Sequence, residues 1–146
     1  MEMNPRDEMD MLLDSQLGFA QEMLSKHGEF YPFAAHVNFE GELALVSGTT
    51  GEEKPLSDDV IDVLYAGLCR QAEAGEIRAA AVCADVLVEP PGGSGKTDAI
   101  RVDIEHSHSD PVRVFLPYEK NRRSGLILGE LFAARGNARV FSRSES

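Results

Sequence analysis

The sequence predicts an α+β domain in which an antiparallel sheet of five to six strands carries two helices on one face. Two segments repeat apolar residues at three- and four-residue spacings, which is typical of amphipathic helices. Several later segments alternate apolar and polar residues, as strands with one exposed face do. Short connections rich in glycine, proline and serine separate the later strands, so neighbouring strands can pair antiparallel.

The first helix is predicted over residues 7–27. Pro5 and Asp7 suit its start, because acidic groups stabilise the positive end of the helix dipole. Gly28 suits the left-handed position after the last turn. Glu8 is assigned to the polar face together with other acidic residues of this helix. The predicted apolar stripe consists of Met9, Leu12, Leu13, Leu17, Ala20, Met23 and Leu24.

A β-hairpin and a second helix follow. Residues 32–47 alternate on both sides of a bend at Gly41, which predicts two strands. A polar loop then leads to Ser57, the predicted N-cap of a helix that ends at Gly75. The expected order of elements is therefore helix, two strands, helix, and three or four further strands.

The strand predicted at 77–89 is expected to be central, because residues 79–84 are apolar at consecutive positions. Such a strand is covered on both faces. With both helices assigned to one face, the other face needs a second cover. We therefore expect Ala79, Ala81 and Cys83 to lie at a homodimer contact.

The remaining strands are predicted at 98–107 and after Pro111, with an exposed basic turn at 118–125. Residues 126–134 fit a last strand or a short helix, and the strand is favoured because Gly129 weakens a helix. No composition break marks a second domain. We expect one domain over residues 1–146, with frayed ends at 1–6 and 143–146.

The charge of the chain is unevenly distributed. The net charge is −11, and residues 1–62 alone hold 14 acidic and 3 basic groups. Between positions 120 and 143 the charge is instead mostly basic. An acidic protein repels nucleic acid, so nucleic-acid binding is not expected. The acidity either serves solubility or forms a face that meets a basic protein partner. No segment is apolar enough to span a membrane or to act as a secretory signal, so we expect a cytoplasmic protein without membrane attachment.

Residues 92–97, Gly-Gly-Ser-Gly-Lys-Thr, resemble part of a phosphate-binding loop. The complete pattern requires a glycine at position 90 and a helix after the lysine. Position 90 is a proline, and the residues after Lys96 alternate as a strand. The segment is therefore interpreted as a connection between strands.

The histidines near position 107 are the candidate metal site. His106 and His108 are two residues apart and would share one face of a strand. Two imidazoles on one face are a usual start for a divalent metal site, with Asp110 or His36 as a third ligand. The alternative is a pair of histidines at a strand end, beside the turn at Pro111.

No catalytic constellation is visible in the sequence. Cys69 and Cys83 have apolar neighbours and are expected to be inert thiols. Asp103 and Glu105 share a face with Arg101, which indicates a salt-bridged sheet surface. The sequence therefore predicts a small non-enzymatic interaction or regulatory domain that self-associates or meets a basic partner. The alternative is a metal- or small-ligand-binding protein that uses the histidine pair.

Overall fold

A computed structural model describes residues 4–48, 50–93 and 95–141. The predicted α+β class and the order of elements are confirmed. Among the described residues, neither helix is both long and apolar enough to cross a bilayer. The elements are α1 (Pro5–His27), β1 (Phe33–Asn38), β2 (Leu43–Ser47), α2 (Ser57–Glu73), β3 (Ile77–Val88), β4 (Thr97–His106), β5 (Ser109–Asn121), β6 (Gly125–Leu128) and β7 (Phe132–Arg135).

All strand pairs in the sheet are antiparallel, in the order β2-β1-β3-β4-β5-β6, and β7 also pairs with β5. The last predicted strand is confirmed as a strand, but it is divided into β6 and β7. The division lies opposite Pro117, which has no N–H for the ladder and whose carbonyl accepts a hydrogen bond from the Gly129 N–H. Strand β5 is longer than predicted and runs through the first half of the expected basic turn, up to Asn121.

The placement of the helices differs from the prediction, because α1 and α2 pack on opposite faces of the sheet. Side chains alternate along β3, so Ala79, Ala81 and Cys83 share a core with α1. Ala80, Val82 and Ala84 share a second core with α2. One chain therefore covers both faces of its central strand, and the face that the sequence assigned to a second copy is covered by α1.

The helix ends also refine the prediction. The Asn4 side chain caps α1 by accepting a hydrogen bond from the Asp7 N–H at 2.8 Å. The helix begins at Pro5, so the expected fraying of residues 1–6 is wrong for residues 5 and 6. Residues 1–3 and 143–146 lie outside the described residues. Helix α2 begins at Ser57, with Leu56 rather than Ser57 at the cap position.

Candidate functional site

A buried ionic cluster joins the start of α1 to the sheet. Glu8 is only 1% exposed. The Arg78 guanidinium donates to both carboxylate oxygens of Glu8, with its Nη2 at 2.6 Å from Oε2. Arg78 also donates to the Phe39 carbonyl in the β1–β2 turn. Burial alone would raise the pKa of Glu8, but hydrogen bonds from Arg78 and His106 lower it below its ordinary value.

His106 completes this cluster through both of its ring nitrogens. Its Nε2 lies 2.8 Å from Oε1 of Glu8, and its Nδ1 lies 3.0 Å from the backbone N–H of His108. A backbone N–H can only donate, so Nδ1 accepts and Nε2 carries the proton that is donated to Glu8. Both ring nitrogens are therefore engaged, and neither has a lone pair to offer a metal ion.

The candidate metal ligands do not come together. His36 pairs with Ala80 and lies on the α2 side of the sheet, whereas His106 pairs with Ala79 and lies on the α1 side. His108 lies in the β4–β5 turn, with its ring centroid 6.1 Å from that of His106, and Asp110 is exposed at the start of β5. Within residues 4–48, 50–93 and 95–141, no group of three or more His, Cys, Asp or Glu could hold a metal.

His36 is instead part of the contact between β1 and α2. Its Nε2 lies 3.4 Å from the side-chain nitrogen of Gln71. Its Nδ1 is buried without a hydrogen-bond partner. Burial lowers the pKa of His36, because the charged imidazolium would lose its hydration there.

The residues expected at a dimer contact are covered within the chain. Ala79, Ala81 and Cys83 are 0%, 1% and 0% exposed beneath α1. Burial also raises the pKa of the Cys83 thiol well above its ordinary value, as expected for an inert cysteine. These three residues offer no surface to a second molecule.

The glycine-rich connection has the geometry that the sequence interpretation predicted. Residues 97–106 after it form β4 and not a helix, so no helix N-terminus faces the loop to bind a phosphate. Ser94, in the middle of the motif, lies outside the described residues.

A second polar cluster lies on the α2 side of β4. Asp103 pairs with Arg113 at 2.6 Å and with Arg101 at 3.1 Å, as the salt-bridged surface predicted. Glu105 is more buried than expected and accepts hydrogen bonds from the backbone N–H groups of residues 139–141. It thereby fixes the chain segment after β7 against the sheet. The carboxylates of this cluster are engaged within the chain.

The outer edge of β2 is open. Within the described chain, β2 pairs only with β1. Leu43 and Leu45 lie on the α1 side and Ala44 and Val46 on the α2 side, as their pairing with β1 requires. Leu45 is 52% exposed. Sheet edges are usually protected by charged residues, proline or a bulge, and residues 43–47 contain no charge and no proline.

The surroundings of β2 are acidic. Glu40 and Glu42 lie in the turn before it, and the proximity of Glu42 raises the pKa of Glu40. Glu52 and Glu53 follow in the loop to α2. Lys54 is the single lysine or arginine between positions 28 and 69. The open edge therefore combines uncharged strand residues with carboxylates near both ends.

Comparisons with protein-family models, with curated proteins and with solved structures gave no significant match for this chain. Its function therefore has to be inferred from the geometry described above.

The sequence interpretation missed Glu8, which it assigned to the polar face of α1. A signal was available in the strict four-residue spacing of Glu8, Leu12, Gln16, Ala20 and Leu24, all of which are buried. This spacing defines the line of α1 closest to the sheet and includes two polar residues. The partners of Glu8 lie 70 and 98 residues away in the chain. Contacts between residues so far apart in the chain cannot be predicted from the local spacing of residues.

Proposed function

We propose that this chain is a non-enzymatic interaction domain that binds an extended segment of a basic partner as an additional strand beside β2. The observation that carries the proposal is the open, uncharged outer edge of β2. An edge strand leaves a row of N–H and C=O groups without strand partners, and an added strand provides partners for them. The absence of a catalytic arrangement in the sequence supports a binding role over an enzymatic one.

The side chains of β2 indicate what an added strand would contain. Leu43 and Leu45 present apolar surface on the α1 side, and Val46 does so on the α2 side. Side chains directly opposite one another across two strands interact, and apolar pairs are favourable. The best segment is therefore one with uncharged, β-branched or apolar residues in its central positions.

The charge near β2 indicates what should flank that segment. Glu40 and Glu42 precede the strand and Glu52 and Glu53 follow it. The carboxylates of Glu40 and Glu42 are close enough to shift each other's pKa. A nearby cation would reduce the repulsion between the two negative charges. Opposite charges also steer partners into encounter. Lysine or arginine on the flanks of the bound segment fits this surface.

Binding of a defined peptide would test the proposal. The probe is a short peptide of alternating threonine and valine with lysines at both ends, and its twin carries glutamates at both ends. We expect the lysine peptide to shift the NMR amide signals of residues 43–47 and the glutamate peptide to shift them much less. Leu45→Ser should weaken binding. Leu87→Ser, at a leucine of β3 that is 67% exposed, should not.

The outcomes separate the parts of the proposal. Equal binding of the two peptides would remove the basic partner but keep strand addition. Signal changes away from β2, or an unchanged affinity in Leu45→Ser, would show that strand addition at this edge is wrong.

The proposal includes a cytoplasmic location. The cysteines Cys69 and Cys83 are both free thiols, which suits a reducing compartment. Cell fractionation with an antibody to the chain would test the location, and recovery outside the cytoplasmic fraction would contradict it.

A further inference from the structure

We propose that the strand bound at the β2 edge is β6 of a second copy of this chain, so that copies join head to tail into one continuous antiparallel sheet. This inference rests on the proposed function, because it names the partner that the β2 edge binds. The basic segment before β6, with Arg122 and Arg123, then takes the place of the basic partner.

Strand β6 lies at the opposite edge of the same sheet, which it shares with β7, because β6 pairs with residues 118–121 of β5 and β7 pairs with residues 112–115. Among the described residues it pairs only with β5, and residues 125–128 contain no charge and no proline. Ile127 and Leu128 are each 43% exposed. Leu126 packs against the core beneath α1, so β6 is held in place as an extended strand. The other strand of this edge, β7, contains Arg135, so β2 and β6 are uncharged edge segments of similar length at opposite ends of the sheet.

The strand directions allow the two edges to pair antiparallel, once the second copy is turned with the twist of the sheet and shifted along the strands to bring β6 level with β2. Every step along the order β2-β1-β3-β4-β5-β6 is antiparallel, so β2 and β6 run in opposite directions. A copy displaced along the sheet would place its β6 antiparallel to β2. The combined sheet would continue the pairing pattern that each copy already has.

The charges favour this arrangement at one end of the contact. In an antiparallel pair, the start of β6 lies beside the end of β2. Arg122 and Arg123 directly precede β6, and Glu52 and Glu53 lie in the loop after β2. At the other end Glu130 would approach Glu42, so the attraction is confined to the arginine end. Lys120 does not contribute, because its Nζ donates to the Gly28 carbonyl at the end of α1.

Such a contact joins two different surfaces and leaves one free edge at each end of the assembly. Heterologous contacts of this kind form rings or open chains, and displacement combined with the turn imposed by the sheet twist gives an open helical chain. We therefore expect the mean mass to rise steadily with protein concentration, without a plateau at the mass of a dimer.

Sedimentation velocity and light scattering on two blocked variants would test the inference. Leu45→Lys places a charge on the β2 edge, and Ile127→Lys places one on the β6 edge, both at exposed positions where folding is preserved. Each variant alone should remain a monomer, because each lacks one of the two surfaces. An equal mixture should form a dimer and nothing larger, because each variant supplies the edge that the other lacks. Circular dichroism would verify that both variants fold.

A charge exchange provides the matched control. In the mixture of the two blocked variants, reversing the arginines with Arg122→Glu and Arg123→Glu should weaken dimer formation, and so should Glu52→Arg with Glu53→Arg. Each pair of changes should be made in the blocked variant that keeps the altered edge. Mixing the two reversed proteins should restore dimer formation, since the charges again have opposite signs.

The possible results distinguish a failure of this inference from a failure of the proposed function. If Ile127→Lys alone still forms dimers that Leu45→Lys prevents, β2 pairs with β2 and the β6 partner is wrong. If the wild type is a monomer at every concentration but the lysine peptide binds β2, pairing with a second copy is wrong. The proposed binding of an added strand at β2 would remain. If neither association nor peptide binding occurs, both proposals are wrong.

Discussion

Strands β3 and β2 lie on either side of β1 and both present uncharged residues to it, but the helices cover only one of them completely. His36 of β1 pairs with Ala80 of β3 on one side and with Ala44 of β2 on the other. Ala80 is 2% exposed, whereas Ala44 is exposed. Helices α1 and α2 pack on the two faces of β3, and neither extends fully over β2.

An uncharged strand therefore becomes either part of the core or a binding surface, according to its position in the sheet. The apolar run at 79–84 resembles an interface in the sequence, but two helices from the same chain fill both of its faces. The shorter run at 43–47 is less conspicuous, yet it has a free edge that no described part of the chain covers. Four measurements test this contrast.

The largest difference is expected between Ala80→Asp and Ala44→Asp. The first change buries an unpaired carboxylate beneath α2, which costs several kcal/mol and should prevent stable folding. The second places the carboxylate at an exposed edge position and should cost about 1 kcal/mol or less. Urea unfolding compares the two variants. Equal losses of unfolding free energy would show that β2 is as fully covered as β3.

The second effect concerns the cluster that joins β3 to the β1–β2 turn. Glu8→Gln removes the charge that Arg78 and His106 contact, and breaking a buried ion pair costs about 3–5 kcal/mol. The matched control is Glu22→Gln, which breaks the exposed pair with Lys26 on the same helix and should change the unfolding free energy little.

This cluster also has a pH dependence with a defined sign. The pKa of Glu8 is lower in the folded chain than the ordinary glutamate value of about 4.3. Its contribution to stability is therefore present above that pH and is lost as the pH falls through the folded pKa. Unfolding measured in acid should show this loss in the wild type and not in Glu8→Gln. An identical acid profile for both proteins would contradict the assigned role.

The smallest effect concerns His36, between the two compared strands. Its pKa is lowered by burial, so the unfolded chain binds a proton more readily once the pH falls below about 6.5. Stability should decrease on acidification in this range. His36→Gln should flatten this part of the urea-unfolding profile, whereas Gln71→Met, which keeps the imidazole, should retain the slope. A slope that persists in His36→Gln would assign it to another group.

Much of the fold could be predicted because helices and strands have different local periods. The three- and four-residue spacing of apolar residues predicted α1 and α2. The alternation of apolar and polar residues predicted the β1–β2 hairpin, β4 and most of β5. The face on which each helix packs could not be predicted, since an amphipathic stripe does not indicate which side of a sheet it covers. The division of the last strand depends on Pro117, which faces it only after the strands have paired.

The candidate sites follow the same rule. The two-residue spacing of His106 and His108 drew attention to His106. Its hydrogen-bond partner, however, is Glu8, 98 residues earlier in the chain. His36 was grouped with His106 by residue type, although the pleat directs the two rings to opposite faces. The β2 edge has no motif, because being an edge is a property of the strand order and not of the strand.

The sequence by itself determined the element types, their order, the acidity of the first part of the chain and the two uncharged strand runs. These are properties of neighbouring residues and need no long-range contact. Only the tertiary structure decided that α1 and α2 cover opposite faces, that Glu8 is buried with Arg78 and His106, and that β2 and β6 are the open edges. Each of these depends on residues far apart in the chain, whose proximity is fixed only when the whole sheet and both of its cores form together.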